Sequence, residues 1–86
     1  MFSLFGLGKT YKDEKIMKQV RRSIEAHPML NKYENFTASV KDGVINLEGK
    51  VKSNTEKKRI EKVIKDKVEQ SRINYNKIAN KIEIND

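Results

Sequence analysis

The chain has 86 residues, a length that fits one small domain with a modest hydrophobic core. It contains no cysteine, which excludes disulfides, thiolate metal sites and cysteine catalysis. Lysine and arginine outnumber aspartate and glutamate by 19 to 12, and the formal net charge of +7 favours contact with anionic surfaces. Abundant lysine also serves solubility, so the charge alone does not assign a function.

An apolar segment opens the chain over residues 1–12, and its large side chains are Phe2, Leu4, Phe5 and Leu7. The segment lacks the basic region and cleavage site of a signal peptide, and no apolar run approaches the roughly 20 residues that span a bilayer. Its GLGKT stretch resembles the end of a phosphate-binding loop, but Ser3 stands where that motif needs glycine. We therefore predict an N-terminal segment followed by a domain over residues 13–86.

A first helix is predicted after the apolar segment, with Asp13 as its cap. Its apolar residues recur at helical spacing: Ile16, Met17, Val20 and Ile24. Pro28 disfavours helical geometry at His27 and should end the helix there. His27 is the only histidine and has no evident catalytic partner, so we assign it a structural role.

A β-hairpin is predicted next, because Asp42-Gly43 is a strong signal for a two-residue type I′ turn between alternating apolar and polar residues. The register that this turn imposes pairs inward-facing residues: Val40 with Ile45, Ala38 with Leu47, and Phe36 with Gly49. We expect Gly49 to be covered by the Phe36 ring and approached by a helix.

A second helix should begin after Ser53, since Ser53 and Glu56 have the spacing of a capping box. Its apolar face consists of Ile60, Val63, Ile64 and Val68. A last strand is predicted from Lys77 to Ile84, with four residues facing the core: Ile78, Asn80, Ile82 and Ile84.

The predicted order of elements is α-β-β-α-β, which gives an α/β (α+β) fold. The long connection from the second strand through the second helix allows a right-handed crossover and hence a mixed, three-stranded sheet. Both amphipathic helices should pack on one face of that sheet. We assign structural roles to four residues: Asp42, Gly43, Gly49 and Ser53.

Two basic stripes are predicted on the solvent side of the helices. The first helix carries Lys15, Lys18 and Arg22 opposite its apolar face, and the second carries Lys58, Lys62 and Lys65. With both helices on one side of the sheet, the six residues should share one exposed surface, which is the candidate anion-binding surface.

The hairpin sequence resembles a known family. The pattern Phe36-x-Ala38-x-Val40-x-Asp42-Gly43-Val44-Ile45-x-Leu47-x-Gly49-x-Val51-x-Ser53, followed later by Ile78-x-Asn80-x-Ile82-x-Ile84, resembles the BON domain (bacterial OsmY and nodulation) over about residues 13–84. Members usually have Gly-Val before the last strand, whereas this chain has EQSRINYNKIAN, which leaves the register around Ile73 and Tyr75 open.

The resemblance implies a small bacterial module of envelope and osmotic-stress proteins that binds phospholipid or other interfaces and is not an enzyme. We also predict no cofactor, no metal and no small-molecule substrate, since the acids are scattered among lysines and a metal site needs several that converge. We therefore predict a membrane-associated binding module for anionic phospholipid or a protein partner, with Phe2, Leu4, Phe5 and Leu7 as membrane contacts. The predicted location is cytoplasmic, including the surface of the inner membrane.

Nucleic acid is the alternative partner, since basic helix faces also suit RNA phosphates. Proteins that read single strands usually present aromatic rings on an exposed sheet face. The predicted outward residues here include no aromatic side chain: Thr37, Ser39, Asn46, Glu48, Lys50 and Lys81. We therefore favour the membrane or protein partner over RNA.

Overall fold

The structure is a computed structural model that describes residues 11–28, residue 30 and residues 36–84. These residues form two helices and five short strands. In chain order they are α1 (Asp13–Ala26), β1 (Thr37–Lys41), β2 (Val44–Glu48), β3 (Lys50–Val51), α2 (Asn54–Gln70), β4 (Lys77–Asn80) and β5 (Glu83–Ile84).

The sheet is mixed, as predicted. Its strand order is β1-β2-β4, with β1 antiparallel to β2 and β2 parallel to β4. The parallel pair β3 and β5 continues from the ends of β2 and β4. α1 packs on β1 and α2 packs on β4, and the two helices also contact each other. The α+β architecture with both helices on one face is therefore confirmed.

The hairpin register is confirmed through both strands. Val40 pairs with Ile45 and Ala38 with Leu47. Asp42 and Gly43 have φ values of +52° and +79°, the left-handed geometry that a type I′ turn needs at both central positions.

Gly49 lies between β2 and β3 and has a φ of +151°. Residues other than glycine rarely adopt this φ, so the backbone conformation explains why glycine occupies this position. Cover by Phe36 and a helix remains a prediction, because the paired register ends at Thr37 and Glu48.

The predicted last strand is interrupted, which corrects the continuous strand expected over Lys77–Ile84. β4 ends at Asn80, and the Asn80 side-chain oxygen accepts a hydrogen bond from Ile82 N at 3.1 Å. The Asn80 amide donates to Lys57 O at 3.2 Å and to Glu61 Oε1 at 3.0 Å. Asn80 therefore does face the helix layer, where it ties the strand break to α2.

The core lies between the sheet and the two helices. Its buried apolar residues are Ile16, Val20, Leu30, Ile45, Leu47, Val51, Ile60, Ile64, Val68 and Ile82. Ile84 was predicted to face this core, but it is 44% exposed, because it lies on the two-residue strand β5 at the end of the sheet.

The start of α1 also differs from the prediction. Asp13 is the first residue of the helix, the cap position is Lys12, and no side chain caps the helix. The Asp13 carboxylate instead accepts hydrogen bonds from Asp42 N and Gly43 N, each at 2.9 Å. Asp13 as an N-cap is therefore wrong, because the amides of the hairpin turn take its oxygens.

The start of α2 has the predicted Ser53 cap, and Glu56 forms a variant of the capping box in which it accepts from the amide one residue before the cap. The Ser53 hydroxyl accepts from Glu56 N at 3.2 Å, and the Glu56 carboxylate accepts from Lys52 N at 3.2 Å. At the other end of α2, Ser71 is the cap and Arg72 has a φ of +60°, so an arginine occupies the left-handed position that usually favours glycine. α1 ends at Ala26 with His27 extended, as the following proline predicts.

Candidate functional site

The hairpin turn and the first turn of α1 form one packed unit. The Tyr11 ring lies directly against Gly43, at the place that a Cβ atom on that glycine would occupy. Gly43 is buried, its amide donates to Asp13, and its carbonyl accepts from Asn76 N at 2.8 Å. Tyr11 is thus held by the domain, although it belongs to the segment that the sequence assigned to residues 1–12.

The exposed face of α1 carries a surplus of positive charge. Lys15, Lys18 and Arg22 are all exposed, opposite the buried Ile16 and Val20. Arg21 adds a further exposed cation, and the exposed acids of this helix are Glu14 and Glu25. The predicted stripe on α1 therefore exists as a net cationic surface.

The stripe on α2 has a different environment. Lys58, Lys62 and Lys65 are exposed and line a shallow groove together with three acids: Glu61, Asp66 and Glu69. Lys62 Nζ lies 3.5 Å from Asp66 Oδ2, one helical turn away. The positive charge of this stripe is balanced locally, which the spacing of the lysines alone does not reveal.

Glu61, one of the acids in this groove, accepts a hydrogen bond from Asn80, so this part of α2 lies beside β4. α1 lies on the other side of the helix layer, above β1. The structure therefore groups the α2 lysines with acids beside β4, and α1 supplies the cationic part of the predicted surface.

Tyr75 is a feature that the sequence analysis missed, because the register before β4 was left open. Its hydroxyl donates to Glu69 Oε2 at 2.7 Å. Burial, this hydrogen bond and the nearby charges of Glu69 and Glu61 raise the pKa of Tyr75 from 10.0 to about 12. The phenol therefore stays neutral at physiological pH.

Other site types find little support among the described residues. Within residues 11–28, 30 and 36–84, no three His, Asp or Glu side chains converge as a metal site would need. His27 is exposed. In that same part of the chain, neither helix combines the length and apolar character needed to cross a bilayer. Phe2, Leu4, Phe5 and Leu7 lie outside the described residues.

Comparison with known proteins identifies the family. The BON domain model matches residues 12–85. The chain belongs to the BON domain family. BON domains are small binding modules, known as non-catalytic. The match begins at Lys12, the residue after Tyr11.

Solved structures share the fold of this BON domain. Four chains match, and one is the C-terminal domain of CdsD, the structural protein of the type III secretion system of Chlamydia trachomatis. That match has a TM-score of 0.60 and 15% sequence identity, and it covers 86% of this chain but 34% of the CdsD chain. The likeness shows the fold alone. No curated protein matches the sequence.

Proposed function

We propose that this BON domain attaches to anionic phospholipid membranes through two elements, the apolar residues of segment 1–10 and the cationic face of α1. The observation that carries the proposal is the docking of Tyr11 on the hairpin turn. Because Tyr11 is held there, the chain that carries Phe2, Leu4, Phe5 and Leu7 enters the domain at the N-terminal end of α1, the helix whose exposed face carries the cationic residues. The apolar segment therefore connects to the domain at the same helix that carries the cationic residues.

Each element alone gives marginal binding. Full burial of one large apolar side chain contributes about 1.5–3 kcal/mol as an upper limit, and ordering of the chain opposes this gain. A lysine or arginine near an anionic surface adds about 1 kcal/mol, and salt screens this contribution. Stable peripheral attachment generally needs two such signals. We therefore expect weak, salt-sensitive binding that fails when either element is lost.

The structure adds an expectation that the predicted stripes did not include. The α2 lysines sit among Glu61, Asp66 and Glu69, so this face attracts an anionic membrane less than α1 does. Reversing three α1 charges should weaken binding more than reversing three α2 charges, although the net charge changes equally.

The test is sedimentation of the full chain with neutral phosphatidylcholine vesicles and with vesicles containing phosphatidylglycerol, at low and moderate salt. One variant replaces Phe2, Leu4, Phe5 and Leu7 with serine, which leaves Tyr11 in place. A second carries Lys15→Glu, Lys18→Glu and Arg22→Glu. Its matched control carries Lys58→Glu, Lys62→Glu and Lys65→Glu.

We expect the wild type to bind anionic vesicles only, the first two variants to lose this binding, and the α2 control to retain most of it. Absence of sedimentation for the wild type, or equal sedimentation of all four proteins, would overturn the membrane proposal. Single-stranded RNA is measured at the same salt concentrations, and tighter binding to RNA than to anionic vesicles would favour the nucleic-acid alternative. Failure of both probes would favour a protein partner.

A further inference from the structure

The two edges of the sheet differ in how well they resist pairing with another chain. At the β4 edge, the strand is interrupted at Asn80, whose side-chain oxygen accepts a hydrogen bond from Ile82 N. Lys77 and Lys81 are exposed at the start and just beyond the end of this strand. Interruptions and lysines are two of the devices that keep an edge strand from pairing with a further strand. The β4 edge is therefore protected.

The β1 edge has neither device over its first four residues. Residues 37–40 contain no proline, glycine or charge, and within the described residues β1 pairs with β2 alone. Lys41 and Val44 flank the two-residue turn as a hydrogen-bonded pair, and such pairs alternate with unbonded ones along antiparallel strands. The N–H and C=O groups of Ala38 and Val40 therefore point away from β2, toward the outer edge.

An apolar strip runs beside this edge. Ala38 and Val40 pack against the core but remain only half-buried, since β1 is the last described strand on this side of the sheet. Met17 and Ile24 of α1 are half-buried as well, and helical spacing puts them on the flank opposite Lys15. Lys15 lies beside the loop between α2 and β4, so the flank with Met17 and Ile24 lies on the β1 side.

We propose that a second copy of this chain adds to the β1 edge, with the two β1 strands antiparallel and centred on Ser39. In this register Ala38 lies opposite Val40 of the second copy, and their outward backbone groups form hydrogen bonds with each other. A two-fold axis through the two Ser39 residues generates the same contact twice, so the strand is complementary to itself. Two three-stranded sheets thereby join into one sheet, with the helices of both copies on one face.

The surroundings of the edge fit a second copy. The two α1 helices come to lie antiparallel on the same face, so that Met17 and Ile24 of each copy face the same flank of the other and the apolar strip is covered. On the opposite face of the sheet, Thr37 lies opposite Lys41 and Ser39 opposite Ser39, so no like charges meet. The exposed residues of α1 nearest this flank carry both signs: Glu14, Arg21 and Glu25.

The association should be weak and should strengthen with salt. The paired edge is short, and small interfaces belong to weak complexes. Each copy also carries a net charge of +7, which repels the other copy until salt screens it. The membrane binding proposed above should instead weaken as salt rises. The two proposals therefore respond in opposite directions to salt, and each can fail without the other.

The test is sedimentation equilibrium of the full chain without lipid, at increasing protein concentration and moderate salt. Ser39→Lys places two lysines side by side at the two-fold axis, and Ser39→Glu places two glutamates there. The matched control is Asn46→Lys, which makes the same charge change on β2 directly beside Ser39. Ser39 is exposed, and circular dichroism confirms that each variant is folded.

We expect the wild type and the control to dimerise, and each Ser39 variant to associate roughly fivefold more weakly, because like charges directly opposite are destabilising. An equimolar mixture of Ser39→Lys and Ser39→Glu should recover wild-type association. The mean net charge of that mixture equals that of the wild type, so recovery reports the pair at the axis. A wild type that stays monomeric at millimolar concentration, or equal association of Ser39→Lys and Asn46→Lys, would overturn the proposal.

Amide chemical shifts that change with protein concentration give the second readout. The largest changes should fall on Ala38 and Val40, whose N–H groups point to the outer edge. Changes centred on β4 or α2 would place the contact elsewhere and would also overturn the proposal.

Discussion

The two helices lie side by side on the same face of the sheet, but their first turns are satisfied in different ways. α2 begins with a local capping box, in which Ser53 and Glu56 accept hydrogen bonds from amides three and four residues away. α1 has no local cap, and its first residue, Asp13, binds amides 29 and 30 residues along the chain. The start of α2 therefore depends on its own sequence, whereas the start of α1 depends on a hairpin that must already be in place.

The largest expected effect comes from Gly43→Ala, which breaks the distant contact of α1. A methyl group would overlap the Tyr11 ring, and the φ of +79° would strain any other residue. We expect the free energy of unfolding to fall by about 2–5 kcal/mol. This figure is the sum of the cost of a left-handed backbone at a residue other than glycine and the cost of overpacking against the ring. Urea unfolding measures the change, and Lys41→Ala on the neighbouring exposed position is the control.

Adding Tyr11→Ala to the Gly43→Ala variant removes the ring that the new methyl group overlaps. The double variant should therefore recover the stability lost through overpacking but not the stability lost through backbone strain. A loss below about 1 kcal/mol for Gly43→Ala would contradict the close contact between Tyr11 and the turn.

Asp13→Ala tests the same contact from the helix side. It removes a charged acceptor from two backbone amides, so we expect a loss of about 1.5–3 kcal/mol in the free energy of unfolding. Glu14→Ala, on the adjacent exposed acid, is the matched control and should change stability little. Equal effects of the two substitutions would show that Asp13 acts only as a first-turn charge.

Ser53→Ala tests the local cap of α2. Loss of the hydroxyl that accepts from Glu56 N should cost about 0.5–2 kcal/mol. Thr55→Ala, at an exposed position inside the first turn, is the control. In the Asp13→Ala/Ser53→Ala double variant, the two losses of stability should add, since the hydrogen bonds at the starts of α1 and α2 share no residue. Strong non-additivity would show that the two first turns are coupled.

Arg72→Gly addresses the other end of α2 and should stabilise the domain. Glycine adopts a φ of +60° without the left-handed penalty that arginine pays, so we expect a gain of about 1 kcal/mol. Gln70→Gly, at the last residue of the helix, should instead lower stability by up to about 1 kcal/mol. A loss of stability in Arg72→Gly would show that the arginine side chain contributes more than its backbone costs.

The smallest effect is expected for Tyr75→Phe, at about 0.5 kcal/mol near neutral pH, from loss of the hydrogen bond to Glu69. The folded-state pKa of Tyr75 is raised to about 12, so its contribution is complete below pH 10 and is lost as the pH rises through 12. The stability difference between wild type and Tyr75→Phe should shrink over that interval. A tyrosinate absorbance titration in which all three tyrosines ionise together near pH 10 would contradict the raised pKa.

The parts of the fold that sequence predicts are those encoded by neighbouring residues. Asp42-Gly43 defines the turn and thereby the whole hairpin register, and the spacing of Ser53 and Glu56 defines the start of α2. Asp13 looked like a cap because its residue type fits one, but its oxygens are taken by amides that the sequence places 29 and 30 residues away. Residue spacing within the helix does not predict a hydrogen bond to amides so far along the chain.

The candidate site was predicted only in part. Helical spacing put Lys58, Lys62 and Lys65 on one face, and they are indeed exposed together. The groove they line also contains three acids, and their charges offset the lysines. The acids lie three or four residues after the lysines on the same helix, so helical spacing could have predicted this charge balance. The left-handed residue after α2 could not be predicted from a glycine, because Arg72 adopts that conformation. The conformation of Arg72 depends on how the helix end packs, which spacing does not describe.

The contact of Asp13 with the hairpin turn also orders the events of folding. The carboxylate finds its amides only after the chain closes a loop of 29 residues, whereas the cap of α2 closes over three. Contacts of short sequence separation form faster, so we expect the hairpin and α2 to acquire native structure before the first turn of α1 does. In the folded protein, we expect the same turn to open at a lower free energy than α2 and its amides to exchange with solvent sooner.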